Sequence, residues 1–146
     1  MSTTPTVNGQ VIGRAHYATR ALLGPVLDRT ATTFDESLVL NSLAGDAEGV
    51  DRAELLGLLA GNLKISEAEV AGIVDELAAS ALLEAGDDSR LRLTDAGRAR
   101  NHEIRSTIAA ITQRIYADIP AEDLATTGRV LTLLTARADA ELAALR

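Results

Sequence analysis

At 146 residues with 47% apolar content, the chain can enclose one core, which is aliphatic because there are two Tyr, one Phe and no Trp. The absence of cysteine excludes disulfides, thiolate metal sites and a cysteine redox sensor. A net charge of −7, a polar start (Met1-Ser2-Thr3-Thr4-Pro5-Thr6) and no apolar run near the roughly 18 residues of a bilayer span predict a cytoplasmic protein.

In chain order, residues 1–7 read as a flexible N-terminus and a first helix is expected over about 8–29. Pro25, behind Gly24, predicts a kink or an early end there. Three capping boxes follow, Thr33 with Glu36, Asp51 with Glu54 and Ser66 with Glu69. Each pairs a short oxygen-bearing cap with a carboxylate three residues on, so helices begin near 34, 52 and 67. Gly45 and the Gly61-Asn62 pair mark two C-terminal ends. A helix-turn-helix at 52–60 and 67–80 then meets Leu82-Leu83-Glu84, a Gly86-Asp87-Asp88-Ser89 turn and the alternating strand Arg90-Leu91-Arg92-Leu93. Thr94 is placed to cap a long helix starting at Asp95, and Pro120 opens a last helix with Glu122 and Asp123 in its first turn.

The order helix, strand, turn, strand, long helix, with Leu93-Thr94-Asp95-Ala96-Gly97-Arg98-Ala99 at its end, resembles the winged helix of the MarR family of ligand-responsive transcription regulators. The resemblance covers about 10–145 and implies a mainly α fold. It places the first and second helices at 8–50, the helix-turn-helix and a small β-wing at 51–94 and a terminal helical hairpin at 95–146, all in one winged-helix domain. It also implies a cytoplasmic homodimer that binds double-stranded DNA and a small-molecule effector. The chain departs from the family pattern in a shortened wing, in an acidic recognition helix and in Ala81, where the family has glycine.

The acidity is read from the residues themselves. Residues 51–90 hold nine acids against three bases, a local net of −6, and Ser66 to Ser80 contains four acids and no base, Asn or Gln. DNA is a polyanion whose binders gain most of their affinity from Lys and Arg at phosphates, and a helix without Arg, Lys, Asn or Gln lacks the usual bidentate base contacts. Arg52, Lys64, Ser66, Arg90 and Arg92 are the DNA-binding candidates. Glu67 and Glu69 suit a helix N-terminus whatever the function.

His16, Tyr17 and Arg20 are clustered on the first helix, with His16 and Arg20 four apart on one face. The resemblance puts a pocket for aromatic or anionic ligands between the first two helices, the helix after the wing and the partner subunit. Arg20 would pair with a carboxylate there, His16 or Tyr17 would hydrogen-bond the ligand, and Phe34, Asn41 and Tyr116 would line the walls. The plainer account makes Tyr17 core, His16 an interface residue and Arg20 a salt bridge.

In the last helix Leu124, Gly128, Leu131, Thr135, Ala138, Leu142 and Leu145 recur at spacings of four and three, while the helix before it carries Ile104, Ile108, Ile111, Ile115 and Ile119 on one side. Ile115, Ile119, Leu124, Leu131 and Leu142 are the predicted dimer contacts; an intramolecular hairpin is the alternative. An enzyme reading would use His16 as acid or base with Tyr17 as donor. Against it stand the lack of a nucleophile motif, phosphate loop or metal-spaced His cluster, and no cofactor is expected. A further alternative is a winged helix that has lost sequence-specific DNA binding and serves as a small-molecule binder or an acidic protein-interaction module.

Overall fold

The computed structural model describes residues 4–146. Of the segment 1–7 expected to be flexible, Met1, Ser2 and Thr3 lie outside the described residues, and Thr4 to Val7 are exposed without helix or strand. Six helices and three short strands follow: α1 (Gly9–Arg29), α2 (Phe34–Ala44), β1 (Val50–Asp51), α3 (Arg52–Leu63), α4 (Glu67–Ala79), β2 (Leu83–Ala85), β3 (Arg90–Leu93), α5 (Asp95–Ile115) and α6 (Ala121–Ala144). They form two compact units, one up to Ala109 and one from Ala110 to Arg146, with α5 contributing to both.

The caps fix the helix starts. Thr33 and Glu36 form the reciprocal box, with Glu36 N donating to Thr33 Oγ1 at 3.1 Å and Thr33 N to Glu36 Oε1 at 3.0 Å. Asp51 and Ser66 accept from the backbone N–H groups of Glu54 and Glu69 at 3.2 and 3.1 Å. Each such bond satisfies a helix N-terminal donor that has no partner within the helix.

Two boundaries differ from expectation, the ends of α3 and α5. α1 keeps the expected span, running from Gly9 to Arg29 without the early end considered at Pro25, because its final turn is anchored by buried Val26 and Leu27 and closed by Thr30 and Thr32, whose N–H groups both donate to Leu27 O. Packing there outweighs the one backbone donor that proline lacks. α3 runs through Gly61 and Asn62 to Leu63, and Lys64 takes the left-handed position at φ 59°. Its Nζ donates to Gly61 O at 2.7 Å, covering one of the last carbonyls, so no glycine is needed at the stop. Ile119 lies beyond α5, which ends at Ile115; Asp118 turns left-handed at φ 64°, and the residue before Pro120 is disfavoured in helix.

In the first unit the core is wholly aliphatic. Val39, Leu40 and Leu43 of α2, Leu55 and Leu59 of α3, and Val70, Val74 and Leu77 of α4 enclose Leu82, Leu83, Leu91 and Leu93 of the wing. The sheet has the order β1-β3-β2 and is antiparallel throughout, with Leu83 opposite Leu93, Glu84 opposite Arg92 and Val50 opposite Leu91. β1 is an element the sequence reading omitted: two residues are too few to show alternation, and they pair only because Gly49 lets the chain approach β3. A Cβ on Gly49, at φ 94°, would stand 2.9 Å from Leu91 O.

The wing joins α5 through a tight joint. Thr94 N donates to Leu82 O at 3.1 Å and Thr94 Oγ1 to Ala81 O at 2.7 Å, while Gly97 N donates back to Thr94 Oγ1 at 3.0 Å. Gly97 faces the Leu82 carbonyl so closely that a Cβ would lie 1.9 Å from its oxygen. Thr94 therefore caps α5 as expected and also ties it to the end of α4.

In the second unit, from Ala110 to Arg146, no residue is buried. α6 begins behind Pro120 with Glu122 and Asp123 in its first turn, and its Thr127, Thr132 and Thr135 hydroxyls donate to carbonyls four residues back.

Candidate nucleic-acid interface and ligand site

The helix-turn-helix places α4 with Val70, Val74 and Leu77 buried and Glu67, Ala68, Glu69, Gly72, Asp75 and Glu76 exposed. The outward face is thus made of small residues and carboxylates, a surface that repels phosphate and offers no cation to it. Each DNA-binding candidate is engaged within the chain. Arg52 lies 3.8 Å from Asp75 in an exposed pair that carries little energy. Lys64 holds Gly61 O, and Ser66 is the α4 cap.

The two wing arginines are structural as well. Arg90 Nη1 donates to Gly49 O at 3.0 Å, bracing β1 against β3. Arg92 closes the turn by donating through Nη2 to Asp88 Oδ2 at 2.7 Å and through Nη1 to Asp88 Oδ1 at 3.4 Å. That hydrogen bond holds the Asp88 carboxyl below the usual carboxylate range and raises the Arg92 guanidinium above its own. The Arg92 charge is therefore paired with an aspartate of its own turn.

A groove of about 330 Å³ lies at the base of the wing, lined by Leu43, Ala44, Asp46, Ala47, Arg92, Leu93 and Arg98. Its second guanidinium, Arg98, donates to Leu93 O at 2.8 Å and pairs with Asp95, so both cations there are also committed.

On α1 the predicted ligand residues sort into two contacts. The His16 and Tyr17 rings meet edge to face with centroids 5.3 Å apart, and Tyr17 is 70% exposed, so it is not core. Arg20 lies 4.4 Å from the centroid of Phe34 on α2, a cation–π contact in place of the salt bridge of the plainer account. Asn41 is exposed on α2, and Tyr116 belongs to the second unit, where it is exposed. The structure thus brings Arg20 and Phe34 together and sets His16 beside Tyr17. Among the described residues no group of His, Asp and Glu is arranged to hold a metal ion, and no helix is long and apolar enough to cross a membrane.

Two polar residues on α5 escaped the sequence reading. Asn101 is buried and Arg105 is partly buried, and Arg105 Nη2 donates to Ser37 O of α2 at 3.1 Å. Burial alone pushes the Arg105 guanidinium down. A signal for Asn101 was present: Gly97, Asn101, Ile104, Ile108 and Ile111 recur at spacings of four and three, so this asparagine occupies a position of the apolar stripe.

Of the isoleucine stripe on α5, Ile104 is fully buried in the first unit; of the predicted dimer residues, all in the second unit, Ile115 and Ile119 are each 43% exposed and Leu131 and Leu142 each 37%. Leu124 is half-buried, and Leu133 and Leu134, which lie off the predicted seam, are exposed too.

No protein-family model matches the chain, and no curated protein matches it in sequence. Solved structures do. A MarR-family transcriptional regulator from Rhodococcus sp. RHA1 superposes with a TM-score of 0.73 at 21% identity, covering 87% of this chain and 92% of that one. CouR from Rhodococcus jostii RHA1, solved with p-coumaroyl-CoA bound, gives 0.73 at 20% identity over 87% and 90% of the two chains. The Mycobacterium tuberculosis MarR family protein Rv2887, solved in complex with DNA, gives 0.65 at 20% identity over 89% and 98%. These likenesses at 20–21% identity concern the fold, and this chain has the winged helix-turn-helix fold of the MarR-family transcriptional regulators.

Proposed function

We propose that the protein is a DNA-binding transcription regulator that works as a homodimer and responds to a small aromatic or anionic ligand. The observation that carries this reading is the complete winged helix-turn-helix, whose topology matches a protein solved on DNA and another solved with an aromatic acyl thioester. Dimerisation is supported by the second unit: a 24-residue helix with no buried residue and several exposed leucines gains most of its stability from an apolar partner face. Two copies would present two α4 helices to successive major grooves. A ligand that favours one angle between them would change half-site spacing and so DNA affinity. Arg20, set on Phe34 beside the His16–Tyr17 pair, is the group assigned to the ligand's anionic end.

The DNA contact is weak by design of this surface, because Arg90, Arg92, Arg52 and Lys64 reach DNA only by exchanging partners they already hold. That observation favours a second reading, in which DNA binding has been lost and the acidic α4 face meets a basic protein surface instead. The deciding experiment titrates the protein against duplex from its own upstream region and a scrambled duplex, at low and at physiological salt. Selective binding that survives physiological salt supports the regulator; no binding at either salt refutes it and leaves the second reading.

A further inference from the structure

Asn8 and Gly9 are the one Asn-Gly pair in the chain, and they stand where α1 begins. Asn8 is exposed and extended, and its Oδ1 accepts from Val11 N at 2.9 Å. Gly9, the first helical residue, is exposed too, and a Cβ built on it would meet nothing within 4 Å. Its backbone N–H belongs to the first turn, whose donors have no acceptor inside the helix. The other three asparagines differ on each point. Asn41, Asn62 and Asn101 lie within α2, α3 and α5 and are followed by Ser42, Leu63 and His102. Each of those residues brings a Cβ beside its own backbone nitrogen, and that nitrogen is bonded along the helix.

We propose that Asn8-Gly9 is a self-modifying site, at which the Gly9 backbone nitrogen displaces the Asn8 side-chain amide and the α1 cap becomes a carboxylate. The Gly9 nitrogen gives its proton to solvent and attacks Asn8 Cγ. The N–Cγ bond forms, the Cγ–Nδ2 bond breaks, and Nδ2 takes a proton from solvent and leaves as ammonia, closing a five-membered imide. Water then opens the imide. Cleavage of the new N–Cγ bond gives an ordinary aspartate, and cleavage of the backbone C–N bond gives an isoaspartate whose chain runs through Cβ. In sum one water is consumed and one ammonia released, with no change of oxidation state. Gly9 favours the ring because it lacks the Cβ that would hinder the backbone rotation closure needs. The Val11 N–H on Oδ1 stabilises the negative charge that this oxygen gains during attack. The two products act oppositely on α1, whose first turn holds no acid. Aspartate keeps an acceptor for Val11 N and adds negative charge at the positive end of the helix. Isoaspartate lengthens the backbone by one methylene and draws the carboxylate off Val11, so the first turn frays. The inference stands apart from the regulator reading.

The test holds the full chain at physiological pH and temperature and samples it over time, beside a synthetic peptide of residues 4–15. Peptide mapping by mass spectrometry locates each amide lost, and an isoaspartyl methyltransferase labels the isoaspartate. Conversion is expected at Asn8, with Asn41, Asn62 and Asn101 intact. Gly9→Ala is expected to slow it about tenfold, and Asn8→Ser, which caps without an amide, to remove it while α1 stays helical. Ion exchange separates the products, and Val11 N–H exchange with solvent is expected to quicken in the isoaspartate fraction and not in the aspartate fraction. An Asn8 amide that persists in the full chain while the peptide converts overturns the proposal. So does conversion of the helix-internal asparagines at the rate of Asn8, or a Gly9→Ala variant that converts as fast as the wild type.

Discussion

Gly97→Ala tests the joint between the end of α4 and α5. The added Cβ would stand 1.9 Å from Leu82 O and 2.9 Å from Leu82 C, distances real Cβ atoms essentially never show, and both neighbours are backbone. The start of α5 or the chain at Leu82 has to move, straining the 3.1 Å Thr94 N–Leu82 O bond and the 2.7 Å Thr94 Oγ1–Ala81 O bond. Two such bonds are worth about 1 kcal/mol each, and overpacking a fitted site costs roughly 1–3 kcal/mol. Alanine returns about 1 kcal/mol through its higher helix propensity, so the net loss is about 2–4 kcal/mol. Urea unfolding followed by circular dichroism at fixed protein concentration measures it as a lower midpoint with unchanged slope. A variant as stable as the wild type would show that the joint yields freely and that Gly97 is not required by the fold.

Ala81 sits left-handed at φ 59°, so Ala81→Gly should stabilise the chain by up to about 1 kcal/mol, strain relief being partly offset by the entropy glycine adds to the unfolded state; a lower urea midpoint would contradict this. Asp88→Ala should free Arg92 and raise DNA affinity at low salt with a steeper salt dependence, and an unchanged salt slope would remove the wing from the interface. In the wild type the Asp88 carboxyl is depressed by Arg92. Its stabilisation of the wing is therefore present above the carboxyl's unfolded pKa and lost as pH falls through the lower folded value; an Asp88 titration midpoint at or above that of a free aspartate would refute the pairing. Leu131→Asp with Leu142→Asp should shift the protein toward monomer in analytical ultracentrifugation while the first unit keeps its helicity; an unchanged dimer would refute the interface assigned to α6.

Local chemistry was legible in the chain. The three oxygen caps at Thr33, Asp51 and Ser66 and the Thr94 cap each act within a turn, so their consequences follow from neighbours in sequence. The Leu93–Ala99 stretch carried the fold for the same reason, since strand alternation, cap and glycine are consecutive. Whether Pro25 would interrupt the helix expected over 8–29, the β1 strand and the left-handed stop at Lys64 were not legible. Each is settled by partners distant in sequence or by a balance of competing local terms: buried Val26 and Leu27, the Gly49 approach to β3, and the Lys64 contact with Gly61 O.

The candidate site divides along the same line. Sequence alone determined that α4 is acidic and that its neighbourhood carries few cations, because charge is a property of composition. Only the tertiary structure decided that Arg90 and Arg92 are held by Gly49 O and Asp88, that Arg20 rests on Phe34, and that Asn101 and Arg105 are buried with unmet hydrogen-bonding capacity. A side chain's availability depends on which groups the fold brings within about 3 Å of it, and that distance is set by packing between elements rather than by position along the chain.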